Sequence, residues 1–138
     1  MLQQMRIGND LDLLREMSNW VATACNSLGL PDALSFRLDL AANEAVANAI
    51  SYGYPAGVRG EIELRISKAN GDAVLEIEDD GVAFNPLEMP EPLHLESLEA
   101  SRIGGLGVPL IRRSMAQCEY QRRAGRNVLI LKSPIAGN

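Results

Sequence analysis

The sequence predicts an α+β fold, a two-layer α/β sandwich in which helices cover one face of a mixed, mainly antiparallel sheet. Two long stretches repeat apolar residues every three or four positions, the period of an amphipathic helix. Two short stretches alternate apolar and polar residues around a glycine turn, and two further strands meet at a second glycine turn near the end. Strands grouped with strands, and helices with helices, suggest this layering. At 138 residues the chain has room for one core, so a single domain over 1–138 is expected.

Met1–Ile7 has the apolar-rich pattern of an edge strand, and Asn9 and Asp10 are candidate N-caps for the first helix. Leu11, Leu14, Met17, Val21, Ala24, Cys25 and Leu28 place that helix over about 10–28, ended by Gly29. Pro31-Asp32 opens a second helix with the stripe Leu34, Leu38, Ala41, Ala42, Ala45, Val46, Ala49 and Ile50, and Gly53, Pro55 and Gly57 stop it. Residues 61–66 and 73–78 alternate with period two around Asn70-Gly71, a hairpin signal. Residues 81–103 carry three prolines, several acids and no steady period, which suits a long loop acting as a lid. Gly104-Gly105-Leu106-Gly107 runs into a helix over about 107–116, with Pro109 in its first turn. Two strands, about 118–123 and 127–132, meet at Ala124-Gly125-Arg126, and Ser133–Asn138 reads as a polar tail.

Composition narrows the function. With 46% hydrophobic and 22% charged residues the chain is ordinary globular protein rather than disordered or fibrous. No apolar run approaches the ~18 residues of a membrane span, and no apolar segment comes after Arg6 as a signal peptide requires. A cytoplasmic protein without a membrane partner is expected. Cys25 and Cys118 stand alone, as small buried hydrophobes rather than a disulfide framework, and a single histidine, His94, argues against zinc. The net charge of −5 gives no bulk attraction to nucleic acid. Residues 1–99 carry −11 and residues 100–138 carry +6, either a solvated surface or a basic region for an anion such as a polyphosphate.

Three segments carry candidate chemistry. In Asn43-Glu44-Ala45-Val46-Ala47-Asn48, Glu44 and Asn48 lie four apart and share one helix edge, roughly opposite the apolar stripe. A carboxylate beside an amide oxygen can hold a hard cation, and the carboxylate can take a proton from a hydroxyl; a solvated helix face explains the pair as well. In Asp79-Asp80-Gly81-Val82-Ala83-Phe84-Asn85-Pro86, a strand-end carboxylate beside glycine can accept from an exocyclic amine, although Asp-Gly is also a common turn. In Gly104-Gly105-Leu106-Gly107, missing Cβ atoms let backbone N–H groups approach phosphates ahead of a helix, although a hinge would look the same. This is neither a Walker A loop nor a dinucleotide fingerprint.

In order and spacing the three segments resemble the N box and the two glycine boxes of the GHKL (histidine kinase-like) ATPase superfamily, which includes gyrase, histidine kinases and MutL. NEAVANAISYGYP, DDGVAFNP and GGLGVPLI most resemble the anti-sigma-factor serine/threonine kinases of RsbW type, over nearly the whole chain. The resemblance implies a Bergerat-type fold, with ATP and Mg²⁺ held between sheet and helices under a lid. It implies Glu44 as general base, Asn48 as Mg²⁺ ligand and part of the ATP site, Asp79 as acceptor for the adenine amino group, and Gly81 as the residue that lets the base lie close. Gly104, Gly105, Leu106 and Gly107 would cradle phosphates. Arg102 offers either a γ-phosphate contact or a free lid charge.

The implied partners are an anti-anti-sigma STAS-domain protein, a sigma factor, and a second copy in a homodimer, with no direct nucleic-acid contact. The alternative is a non-catalytic nucleotide-binding or protein-interaction switch module of the same fold. Ala83 stands where the superfamily often has glycine, and Gly125-Arg126-Asn127 where it often has Gly-Thr, with Asn127 available for a polar contact. The 138 residues show no phosphoacceptor-histidine helix and no transducer domain, which favours the small kinases. Trp20 is expected in the core or a subunit interface. Tyr52 and Tyr54 either flank the nucleotide or pack the helix end, and Glu88, Glu91, Glu96 and Glu99 solvate the lid.

Overall fold

The computed structural model describes residues 2–88 and 110–136. Five strands, β1 (Leu2–Gly8), β2 (Glu61–Ala69), β3 (Asp72–Asp79), β4 (Gln117–Arg123) and β5 (Arg126–Pro134), form one sheet in the order β1-β2-β3-β5-β4. Every pairing among the described strands is antiparallel. Three helices, α1 (Leu14–Ser27), α2 (Asp32–Gly53) and α3 (Leu110–Ser114), share one core with the inner sheet face. The α+β sandwich read from the periodicities is the fold, with β1 at an edge as expected.

Local chemistry explains the joints. The first helix opens as a single 3-10 turn over Leu11–Leu13, because Asp10 Oδ1 accepts from the Asp12 amide at 2.9 Å and so caps a tighter turn. Asn9 has another use, donating to Val58 O at 2.8 Å and accepting from Gly60 N at 2.9 Å, which ties the loop before β2 to the end of β1. Helix α1 ends in a Schellman motif, with Leu30 N bonded to Cys25 O and Gly29 N to Asn26 O, each at 3.0 Å, and Gly29 at φ 71°. The last helix stops at Ser114, short of the expected 116, because Ala116 N donates to Ser133 Oγ at 3.0 Å and β4 begins at once. The expected polar tail is a further correction. Ser133 and Pro134 belong to β5, Ser133 is buried, and Ile135 packs on the core.

The core lies between the inner sheet face (Ile62, Leu64, Ile66, Leu75, Leu131) and the helices (Met17, Val21, Leu34, Leu38, Val46, Ile111), all fully buried. Trp20 packs against it from the rim, as one of its two expected placements required. Cys25 is buried and Cys118 half-buried, both free, and burial pushes both thiols up. On the outer sheet face Arg65 binds Glu63 and Glu76 at 3.0 Å and Glu78 at 2.9 Å, and Arg126 binds Glu78 at 2.6 Å.

The two hairpins use the same two-residue turn with unequal residues. Asn70 and Gly71 have φ 55° and 86°, and Ala124 and Gly125 have φ 52° and 77°. Asparagine tolerates the left-handed region, whereas alanine is strained there. Ala124→Asn is therefore expected to stabilise the protein by about 0.5–1 kcal/mol, read as a rise in the urea midpoint at unchanged slope. A fall in midpoint would contradict this account of the turn.

Candidate functional site

Alternation along β3 turns Leu75, Ile77 and Asp79 toward the helices, so the strand ends by placing a carboxylate on the core side. Asp79 is 5% exposed. Its Oδ1 accepts from Gly81 N at 2.8 Å and from Asn127 Nδ2 at 2.9 Å, whereas its Oδ2 takes no hydrogen bond among the described residues. Burial pushes the Asp79 carboxyl above the usual range, against the bonds from Asn127 and Gly81. Asp79 forms the polar side of a pocket lined otherwise by Ala45, Ala49, Ile77, Phe84, Pro86, Tyr120, Leu129 and Asn127. The pocket lining is mostly apolar, with one convergent carboxylate acceptor.

The chain then turns tightly against the end of α2. Val82 N donates to Gly53 O at 2.8 Å, and a Cβ on Gly81 would lie 2.4 Å from that same carbonyl oxygen. The glycine expected to admit a base is thus already needed where two backbones meet. Asp80, one residue on, faces the other way. Its Oδ1 accepts from Tyr54 Oη at 2.7 Å and from Glu61 N at 3.1 Å. Burial opposes ionisation of Asp80, but those donors outweigh it and hold the carboxyl below its ordinary range. Burial and the bond to Asp80 push the Tyr54 hydroxyl upward. Tyr54 therefore packs the helix end, and Tyr52 stacks on Phe84 with ring centroids 5.5 Å apart, beside the pocket wall.

The β4–β5 hairpin closes the far side. Arg122 and Asn127 are register partners across a two-residue turn, which brings Tyr120, Arg122 and Asn127 onto the inner face. Asn127 Oδ1 accepts from Phe84 N at 3.1 Å, from Arg122 Nη1 at 3.0 Å and from the Tyr120 hydroxyl. Its Nδ2 donates to Asp79 and, at 2.8 Å, to Val82 O. Arg122 also donates to Gly81 O at 3.0 Å. Asn127, expected from the sequence to offer a polar contact, makes its hydrogen bonds within the protein, to Asp79, Val82, Phe84, Tyr120 and Arg122. Phe84 and Pro86 of the DDGVAFNP segment line this candidate pocket, joined by Tyr120 and, at its rim, Arg122, two residues that sequence reasoning does not single out. A signal for those two exists in the alternation Cys118, Tyr120, Arg122 read across the Ala124-Gly125 turn.

On α2, Asn48 Nδ2 donates to Glu44 Oε2 at 3.2 Å, which joins the two residues as their spacing predicts. They are half-buried and border Ala45 and Ala49, the α2 residues of the pocket wall, rather than lying opposite the apolar stripe. Asn48 Oδ1 takes no hydrogen bond among the described residues. Asn43, in the same box, is used structurally, donating to Asp39 O at 2.8 Å and Oδ1 at 3.0 Å, where Ser18 of α1 also donates. Arg102, Gly104, Gly105, Leu106 and Gly107, with His94, Glu91, Glu96 and Glu99, lie outside the described residues. Glu88 is exposed.

Residues 7–133 match the histidine kinase-like ATPase domain family. The chain belongs to that family, as its boxes suggested, and its fold is the Bergerat-type sandwich. Among relatives, the serine/threonine-protein kinase BtrW of Bordetella bronchiseptica is 36% identical over 100 residues, which is 72% of this chain and 70% of that protein. Among solved structures, a Mycobacterium tuberculosis protein with RsbU and RsbW domains matches 98% of this chain with a TM-score of 0.68 at 14% identity, which shows the common fold. This chain spans 32% of that solved chain.

Two outcomes test the site's construction. Gly81→Ala is expected to cost about 1–3 kcal/mol by forcing the 81–82 backbone off Gly53. Gly53→Ala, whose Cβ would meet nothing closer than 4.0 Å, should change stability by less than about 0.5 kcal/mol. Equal urea midpoints for the two variants would refute the close approach. The depressed Asp80 carboxyl contributes stability above its unfolded value of about 3.9, and that contribution is lost as pH falls through its folded value. The stability gap between wild type and Asp80→Asn should therefore narrow below about pH 4; a gap constant from pH 7 to pH 2.5 would rule this out.

Proposed function

We propose that this protein is an ATP-dependent serine/threonine protein kinase that phosphorylates an anti-anti-sigma STAS-domain partner. In this reading it also sequesters a sigma factor, with the two partners competing for it, and works as a cytoplasmic homodimer built from one domain. Membership of the histidine kinase-like ATPase family implies ATP binding, and a relative named as a serine/threonine-protein kinase supports the transfer activity.

The observation that carries the reading is the placement of two unlike polar sites along α2. At its end stands Asp79, with one oxygen committed and the other facing no donor among the described residues. Nine residues upstream of Gly53, about 14 Å of helix rise, stands Glu44 with Asn48 bonded to it. Through Ala45 and Ala49, Glu44 and Asn48 border the slot that Asp79 lines, so a nucleotide with its base at Asp79 would run its phosphates along α2 toward them.

The residues fit Mg²⁺ held in part by its nucleotide. No group of three His, Cys, Asp or Glu that could hold a metal occurs among the described residues. Asn48 Oδ1 is a free amide acceptor, and Mg²⁺ commonly takes one or two protein ligands with phosphates and waters completing its shell. When bound, Mg·ATP supplies the phosphoryl group and a counter-charge for its transfer. Glu44 would accept the proton of the attacking serine or threonine hydroxyl. Asp79 would accept from the adenine amino group, and Gly81 would keep the turn beside it narrow. Gly104, Gly105, Leu106 and Gly107 are assigned to the phosphates by the resemblance, and Arg102 to the γ-phosphate.

Thermal unfolding with ATP, ADP and GTP, each with and without Mg²⁺, tests the binding half. Saturating ATP with Mg²⁺ should raise the midpoint by several degrees, since a ligand at 100 times its Kd adds about 2.7 kcal/mol. Asn48→Ala should abolish the Mg²⁺-dependent part of that rise. Glu44→Ala should keep the rise yet lose labelled phosphate transfer to a STAS-domain protein by roughly a hundredfold or more. Transfer at the wild-type rate by Glu44→Ala would remove it as the base. A wild type indifferent to every nucleotide would instead favour the interaction-module alternative.

A further inference from the structure

We infer that the N-terminal half of α2 is where the phosphoacceptor protein docks, with Arg37 pairing to an acidic side chain of the segment that carries the hydroxyl and Phe36 making apolar contact beside it. The inference rests on the kinase reading above and adds to it a docking residue for the protein substrate.

At about 100° per residue, Arg37, Glu44 and Asn48 fall within about 40° of one another around α2, so one helix edge carries all three. The other flank of the helix belongs to α1, where Ser18 and Asn43 both donate to the Asp39 carboxylate. Along the Glu44 edge the order is fixed. The Asp79 pocket lies at the Gly53 end, and Asn48 and Glu44 follow. Arg37 stands a further two helical turns from Glu44, about 10 Å of rise, on the side away from the pocket. A nucleotide seated at Asp79 reaches Glu44 from one direction along the helix. The hydroxyl that Glu44 deprotonates therefore arrives from the other, over Arg37.

Arg37 is the one cation of α2. It is half-buried and makes no ion pair among the described residues. Its Nε is shut off from water and has no acceptor there. A guanidinium that has lost part of its hydration without gaining a counter-charge benefits more from an incoming carboxylate than a fully solvated one does. Phe36, the preceding residue, is 63% exposed on the outward face of the helix, and Leu40, one turn on, is half-buried. An exposed aromatic ring beside an arginine is the composition that anchors protein interfaces. A single cation matches one carboxylate, while Asp32, Asp39 and Glu44 on the same helix repel a polyanion. The surface therefore fits a protein segment with one acidic residue and an apolar neighbour.

The test is steady-state transfer of labelled phosphate from Mg·ATP to a STAS-domain protein, with KM measured separately for the protein and for ATP. Folding of each full-length variant is checked by urea unfolding. Arg37→Gln is expected to raise the KM for the protein about tenfold and to leave the KM for ATP where it is. Added salt should narrow that gap, because an ion pair is screened and a packing contact is not. Arg37→Lys, which keeps the charge and loses the planar fork, should fall between. Phe36→Ala, at an exposed position, should raise the same KM about fivefold, and it decides the matter if Arg37→Gln fails to fold. A wild-type KM for the protein in the folded variants would overturn the inference while leaving the kinase reading intact. So would a rise confined to the KM for ATP, which would assign Arg37 to the phosphates. A wild type that transfers no phosphate to any STAS-domain protein would overturn that reading and the inference with it.

Discussion

Burying the Asp79 carboxylate is costly, and several elements meet where that cost is offset. A carboxylate at 5% exposure needs donors, and they come from a residue two positions on and from a distant strand. Gly81 N is reached by turning the backbone hard against Gly53, which requires glycine at 81. Asn127 is reached because β5 lies between β3 and β4, setting Asn127 opposite Asp79 in register. An unpaired acid here would favour protonation, so the sheet order and the α2–β3 contact are both conditions for an ionised acceptor. The donors supplied satisfy only one of its two oxygens. That imbalance is what supports reading Asp79 as a recognition group.

Asp79 and Asp80 show how one residue of chain can reverse an environment. Strand alternation sends one carboxylate to the core side and the next outward. Burial dominates for the first and raises its value; donors from Tyr54 and Glu61 dominate for the second and lower it. The outward residue binds the start of β2 and the residue after α2, while the inward one faces the pocket. The Asp-Gly turn is therefore a structural turn and a candidate site at once. The two readings that the sequence allows for it are not exclusive.

Much of the fold is legible in the sequence because its signals are local. The stripe Leu34, Leu38, Ala41, Ala42, Ala45, Val46 and Ala49 is buried as its spacing predicts, and Asn70-Gly71 makes its hairpin. Boundaries that depend on distant partners are not legible. Nothing near Met115 announces that Ser133 will take the amide of Ala116 and end α3. The site divides along the same line. Glu44 with Asn48, and Asp79 with Gly81, lie close in sequence and pair from spacing alone. Tyr120 and Arg122 join the pocket wall and its bracing only through the register of β4 on β5, which a strand pattern suggests but does not assign to a ligand. The position of Glu44 departs from expectation for a related reason. The sequence reading places it opposite the stripe, but each of Glu44 and Asn48 lies about 100° around the helix from the stripe alanine that follows it, so the pair flanks the stripe and its edge is half-buried.

Those alanines bear on what α2 is for. Its core stripe uses Leu34, Leu38 and Val46, but the α2 residues that face the pocket are Ala45 and Ala49. Each methylene left out forgoes about 0.8 kcal/mol of burial, so a helix selected only for stability would carry larger residues at both places. Small side chains keep the slot open between α2 and the inner sheet face, where Ile77 and Leu129 form the opposing wall. The polar edge of Glu44 and Asn48 comes one residue before each alanine, so the same two helical turns that open the slot also present its charged border. A change of register in α2 by one residue would put the carboxylate and amide into the slot and an alanine at its border. The helix therefore has to be set rigidly against the sheet. The bond from Val82 N to Gly53 O, at the far end of that same helix, holds it there.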